Sequence, residues 1–225
     1  MKKVIARNTS KLPEEIEYFR LEPFINLSTN LIIGYEVLSK LRDGLNPEYW
    51  FTVLSSRQQI DILHEQLRIV SAKVNGPCFY NLTVEGFMLL DECDIEYIST
   101  FTDVSLEISD ASKLRFLNEK SLLAFFKKIE SLRILGVKIW VDDFSIDDVI
   151  TLPVYKGFID GIKIDKSEIQ TDHLKHIIKS TNKILGNIPI LIEGIESKST
   201  LDIAIESGVS IAQGYYWECN ILIEI

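Results

Sequence analysis

Cysteine is scarce in these 225 residues: Cys78, Cys93 and Cys219 are odd in number, far apart and never in a C-x-x-C spacing. That excludes a disulfide framework and a thiolate zinc site, and it predicts a reducing compartment, the cytoplasm. Basic charge is also short. Lys and Arg number 24 against 33 Asp and Glu, a net charge of −9, so the surface repels a polyphosphate strand and no nucleic-acid polymer is an expected partner. No stretch approaches the ~18 consecutive apolar residues of a membrane span, and no apolar segment follows the two N-terminal lysines as in a signal peptide. No membrane partner is expected. Pro/Gly/Ser-rich linkers and low-complexity tracts are missing as well, so the chain reads as an N-terminal extension over 1–17 and one domain over 18–225.

What is present is a 46% hydrophobic chain in which β-branched apolar runs alternate with segments of helical period. Eight runs read as strands: FRLEPFINL, LIIGYEVLSKL, CFYNLTV, VSLEISD, GVKIWVDDF, FIDGIKID, IPILIEGI and VSIAQGYYW. Between them, residues 57–74 place Ile60, Leu63, Leu67, Val70 and Val74 on one helical face, and 121–135 do so with Leu122, Phe125, Phe126, Ile129 and Leu132. Gly136, Gly186 and Gly208 read as helix-ending residues, and Ser199 with Asp202 as a helix start. The alternation predicts an α/β fold, a (β/α)8 barrel of the TIM type.

Most of these runs end in a polar residue. Glu36, Asn81, Glu107, Asp142 with Asp143, Lys163, Glu193 and Gln213 recur about every 30 residues, the length of one βα unit. In a parallel barrel they converge on the C-terminal mouth, where barrel enzymes keep their catalytic groups. Five acids at one mouth repel one another unless cations neutralise them, and an all-oxygen set with Asn81 and no Cys or His calls for a hard ion such as Mg²⁺ or Mn²⁺. Adjacent aspartates suit two ions, the usual clamp for displacement at phosphorus. The remaining motifs carry blander readings: His173 and His176 as a solvated helix pair, His64 as a rim residue, Tyr215, Tyr216 and Trp217 as core or interface, and Asp147 with Asp148 as a charged loop or helix start.

Seven short motifs in order carry a resemblance. Glu36-Val37-Leu38, Asn81-Leu82-Thr83, Leu106-Glu107-Ile108-Ser109-Asp110, Asp142-Asp143-Phe144, Lys163-Ile164-Asp165, Glu193-Gly194-Ile195-Glu196 and Gln213-Gly214 resemble the series of the EAL family of bacterial cyclic-di-GMP phosphodiesterases, from about Leu21 to Trp217. The resemblance implies a modified barrel with an antiparallel first strand that hydrolyses cyclic di-GMP to linear pGpG with two Mg²⁺ or Mn²⁺ ions. It implies that Glu36, Asn81, Glu107 and Asp142 hold one ion, and Asp142 and Asp143, with Glu193 or Glu196, the other. Glu193 takes the proton of the attacking water, Lys163 holds that water or offsets phosphoryl charge, and Gln213 positions substrate or water. Lys40 and Glu22 stand where the family has a phosphate-binding arginine and a glutamine, and both remain substrate-binding candidates. Asp110 and Asp165 are implied supports of the loop that follows Asp142-Asp143-Phe144.

That loop departs from the family. Residues 145–150 read SIDDVI where the family has GTGYSS, so any positive φ the glycines allowed is expected to be strained here. Cys219-Asn220-Ile221-Leu222 replaces a K-P-L-P segment, and little of a final helix is expected. A homodimer, and regulation by expression, oligomerisation or a separate protein partner, are further expectations. The alternative to an active enzyme is a weak or inactive relative that binds cyclic di-GMP or a protein as a regulator.

Overall fold

The computed structural model describes residues 12–217 and 220–225; residues 1–11 of the expected extension, and Cys219, lie outside them. The elements run β1 (Ile16–Asn26), β2 (Leu31–Leu41), α1 (Pro47–Val53), α2 (Ser56–Val70), β3 (Cys78–Leu82), α3 (Val84–Leu89), α4 (Glu92–Ile98), β4 (Val104–Ile108), α5 (Glu119–Ile134), β5 (Lys138–Phe144), α6 (Leu152–Tyr155), β6 (Gly161–Ile164), α7 (His173–Leu185), β7 (Ile190–Ile192), α8 (Lys198–Ser207), β8 (Ile211–Ala212) and β9 (Ile221–Glu224). Each of the eight predicted runs contains a strand. β2 to β8 pair in parallel in chain order, and β1 closes the ring by pairing antiparallel with both β2 and β8.

The reversal of β1 has a local cause. Only residues 27–30 separate β1 from β2, and a parallel crossover needs a dozen or more. Asn26 Oδ1 accepts from the backbone N–H groups of Ser28 and Thr29, and Asn30 takes φ 55°, which tightens the turn. β9, at the segment that departs from the family, extends the sheet beyond the ring: it pairs with Tyr18–Leu21 of β1, above the two residues of β1 that β8 uses.

Strand alternation sorts the barrel interior into two layers. Phe24, Phe79, Trp140, Leu191 and Ile211 form an apolar floor separate from the main core. Two residues from each stands a mouth residue: Glu22, Asn81, Asp142, Glu193 and Gln213. β2, β4 and β6 contribute Gly34, Ser105 and Gly161 below Glu36, Glu107 and Lys163. The small floor residues are required by the large ones, since a Cβ on Gly34 would lie 3.0 Å from the Phe79 ring and one on Gly161 would lie 2.5 Å from the indole of Trp140. Outside the ring, the apolar faces of α2 and α5 pack on the strands; Ile60, Leu63, Leu67, Phe125, Ile129 and Leu132 are all buried.

One helix start differs from expectation. α8 begins at an N-cap Ser197 that forms a reciprocal capping box with Thr200, whereas Asp202 pairs with Lys198 on the helix surface. Gly136, Gly186 and Gly208 follow helices with positive φ, as read from the sequence.

Gly161→Ala should force the Trp140 ring out of its place. Chemical denaturation should show a loss of about 2 kcal/mol, the overpacking range, and an unchanged midpoint would contradict the two-layer interior.

Candidate active site

The mouth layer rests on the sealed floor, and its centre is Lys163. The side chain is fully buried, and its Nζ lies 2.8 Å from Glu193 Oε1, 3.0 Å from Asp142 Oδ1, 3.2 Å from Glu36 Oε2 and 3.3 Å from Glu107 Oε2. Four carboxylates from β2, β4, β5 and the end of β7 thus converge on one ammonium from β6. Asn81 donates to Glu36 Oε1 at 2.8 Å, and Gln213 Nε2 donates to Glu36 Oε2 at 2.7 Å.

Adjacent strand residues point to opposite faces, so Asp142 and Asp143 would not ordinarily share the mouth. The register between β5 and β6 slips between Val141 and Phe144, and Asp143 takes φ 50°. The bulge turns both carboxylates the same way. Asp, with its short polar side chain, tolerates that left-handed conformation better than most residues.

Two groups of three carboxylates result, Glu36 with Glu107 and Asp142, and Asp142 with Asp143 and Glu193, the offered oxygens within 4.8 Å of one another in each. At such a separation two like charges cost roughly 3 kcal/mol at an effective dielectric of 20. With all five carboxylates ionised, one ammonium would leave four negative charges uncompensated, which two divalent cations would cancel. The buried oxygens Asn81 Oδ1 and Glu107 Oε1 have no hydrogen-bond donor. Unsatisfied buried acceptors beside grouped carboxylates fit hard cations. Glu196, by contrast, is exposed at the rim and outside both groups.

The titration of the site follows the same crowding. Burial pushes Glu193 up to about 8, against the pull of Lys163 and with the help of Asp142 and Glu36. Asp143 is raised to about 6 by lost solvation and then by Asp142. Glu107 and Asp142 are raised by burial as well, Glu107 strongly. Glu36 is the exception: burial opposes it, but Lys163, Gln213 and Asn81 together hold it below its ordinary value. Lys163 also overcomes its burial, and Asp142, Glu107, Glu36 and Glu193 hold it well above the usual lysine value.

The remaining predicted residues take varied places. Glu22 faces Glu36 across the β1–β2 ladder and is tied down, one oxygen 2.5 Å from Arg20 and the other accepting from Gln213 at 3.0 Å. Lys40 is partly exposed, 4.0 Å from Asp43. Asp165 caps a 3₁₀ turn over 166–168 by accepting from Ser167. Asp110 does not reach the loop it was expected to support: it accepts from Val84 N at 2.6 Å and pairs with Lys113, because its short side chain ends at the start of α3.

The loop is held by Glu168, which no motif singled out, and by Asp148, read from the sequence as part of a charged loop or helix start, which caps the turn there. Buried Glu168 accepts from Ile146 N at 2.8 Å, and buried Asp148 accepts from Ser145 and pairs with Arg115 at 2.5 Å. Residues 146–151 form a 3₁₀ turn with no positive φ, so the loss of the glycines is absorbed by a different conformation rather than by strain. Glu168 lies three residues after Asp165 in the polar stretch DKSEIQT, where nothing in the sequence sets it apart. His173 and His176 are exposed, and His64 packs between α2 and α4 against Tyr97. Of the three aromatics read as core or interface, Trp217 packs against the core, whereas Tyr215 and Tyr216 are exposed.

Two cavities flank the carboxylates. One of about 230 Å³ is lined by Asp143, Glu193, Glu196, Gln213 and Tyr215 among others; one of about 460 Å³ lies between the ends of β1, β2 and β3 and helices α1 and α2, reaching Asn81.

A family model described as EAL domain matches residues 14–219. Two curated relatives are similar: cyclic di-GMP phosphodiesterase TpdA of Vibrio parahaemolyticus, 21% identical over 89% of this chain and 36% of its own, and probable cyclic di-GMP phosphodiesterase PdeI of Escherichia coli, 25% identical over 95% and 30%. The chain spans about a third of their length. Among solved structures, Klebsiella pneumoniae BlrP1 in a calcium and cyclic-di-GMP complex superposes with a TM-score of 0.76 at 15% identity, over 96% of this chain and 59% of that one. Its manganese and cyclic-di-GMP complex gives 0.74 at 16%, over 95% and 58%.

Raised carboxyl pKa values stabilise the fold only while the groups are protonated, so metal-free protein should lose stability as pH rises through about 6 and then about 8. Glu36, with its lowered value, contributes a loss only toward acid pH. The thermal midpoint should therefore fall between pH 5 and pH 8.5, and millimolar Mg²⁺ or Mn²⁺ should raise it more at pH 8.5 than at pH 5; a midpoint indifferent to both would contradict the crowding. Glu168→Ala leaves Ile146 N without its acceptor and should cost about 1–3 kcal/mol in denaturation, with a weaker Mn²⁺ affinity as the loop loosens.

Proposed function

The chain belongs to the EAL domain family, and on that premise we propose that it is a metal-dependent phosphodiesterase that opens cyclic di-GMP to linear pGpG. The observation that carries this reading is the pair of three-carboxylate groups sharing Asp142 at the barrel mouth. The names of TpdA and PdeI support the substrate, and the cavity at the carboxylates and the larger one reaching Asn81 offer space for a ligand.

In this reading Glu36, Asn81, Glu107 and Asp142 hold one cation and Asp142, Asp143 and Glu193 the other. Two Mg²⁺ or Mn²⁺ ions, when bound, supply Lewis-acid charge to the phosphoryl oxygens and lower the pKa of water. Glu193, at the edge of the second carboxylate group, takes the proton of the attacking water. Lys163 stays charged at every working pH, and four carboxylates already claim its three N–H donors, so it orders the ligands and offsets charge rather than moving a proton. Gln213 fixes Glu36, and Lys40 stands at the substrate cavity as a point charge. A homodimer belongs to the same reading, through the face where Phe116 and Ile150 stand more than four-fifths exposed.

Purified protein with Mn²⁺ or Mg²⁺ should convert cyclic di-GMP to pGpG, followed by chromatography, and chelation should stop it. Glu36→Ala and Asp142→Asn should each lower kcat at least 100-fold. Binding of cyclic di-GMP without turnover, with Glu36→Ala equal to wild type, would make the protein a non-catalytic binder instead.

A further inference from the structure

Arg20 is a mouth cation that the reaction above leaves unused. It stands on β1 two residues before Glu22, on the same face of the strand, and its Nη2 lies 2.5 Å from Glu22 Oε1. Glu22 Oε2 accepts from Gln213 Nε2, and the same nitrogen donates to Glu36 Oε2. Arg20, Glu22, Gln213 and Glu36 therefore form one bonded arm that runs from the 460 Å³ cavity, which Arg20 lines, to the carboxylate centre.

A cyclic dinucleotide carries two phosphodiesters. One is cleaved at the carboxylates and their cations; the other must sit in a mouth whose acids repel it. Among the described residues lining the two cavities, the cations are Arg20, Lys40 and Lys166. Lys40 is held only at 4.0 Å by a fully exposed Asp43, and Lys166 is exposed, so binding would have to order both. The guanidinium of Arg20, which lines the larger cavity, is already held at Nη2 by the largely buried Glu22, and its planar fork matches phosphate oxygens. A group ordered before the ligand arrives adds affinity at less cost.

We propose that Arg20, aimed by Glu22, binds the phosphodiester of cyclic di-GMP that is not cleaved; this rests on the substrate proposed above and adds a binding residue to it. Glu22 is then a positioning residue for Arg20.

A simpler role for Arg20 is to neutralise Glu22, which otherwise faces Glu36 as a like-charged pair. A variant set separates the two. Cyclic di-GMP binding is measured by titration calorimetry in Ca²⁺, and Mn²⁺ affinity is measured without nucleotide. Arg20→Met should weaken nucleotide binding about 20-fold and Arg20→Lys about 5-fold, with Mn²⁺ affinity moving less than twofold. The double variant Arg20→Met/Glu22→Gln, which removes both charges, should stay about 20-fold weak. Recovery of wild-type affinity in the double variant would overturn the proposal, as would unchanged nucleotide binding in Arg20→Met or a parallel fall in Mn²⁺ affinity. Thermal midpoints confirm that each variant is folded, and Arg20→Lys serves if Arg20→Met is not. Wild-type protein that binds cyclic di-GMP without turnover fails the proposed hydrolysis but leaves this test readable; wild-type protein that does not bind it overturns both.

Discussion

An ammonium with no access to water, surrounded by four carboxylates, is the constraint on which the mouth of this barrel depends. Lys163 draws Glu36, Glu107, Asp142 and Glu193 to within 3.3 Å of one atom, and so ties four strands to a fifth. Burial alone would discharge a lysine; the four acids keep Lys163 charged, and Lys163 in turn holds Glu36 below its ordinary value while Glu107, Asp142 and Glu193 stay raised. The balance is incomplete by design of composition. One cation against five acids leaves oxygens without donors, and that deficit is what fits the mouth to hard cations rather than to a closed ion-pair network.

The floor beneath it decides how strongly those charges act. Phe24, Phe79, Trp140, Leu191 and Ile211 close the barrel just below the carboxylates, so no water column shields them from inside. The Lys163 ammonium stands 5.7 Å above the Phe24 ring, apolar and polar layers being one strand step apart. Glycine at 34 and 161 is the counterpart of the two large rings, and the size of the floor residues is therefore coupled across strands that are distant in sequence.

The loop after Asp142 and Asp143 shows a different economy. Where relatives are expected to use glycines, this chain uses a 3₁₀ turn pinned by Glu168, Asp148 and Arg115. The strain expected from missing glycines is absent there. The positive φ sits one element earlier, at Asp143 itself, where it serves to aim a carboxylate.

Much of this was legible in the order of residues. The polar residue ending each apolar run, and the four-residue gap that forces β1 antiparallel to β2, follow from strand period and chain reach, which are local properties. Even the two-layer interior is written as pairs two apart, such as Phe79 with Asn81 and Trp140 with Asp142. Tertiary structure alone decided the rest: that Asp142 and Asp143 share a face through a bulge, that Glu193 rather than Glu196 joins the cluster, that Asp110 serves α3 and Glu168 the loop, and that Arg20 reaches Glu22 at the mouth. Each of these depends on register or on side-chain reach between segments far apart in the chain, and neither is encoded in the period of any single run.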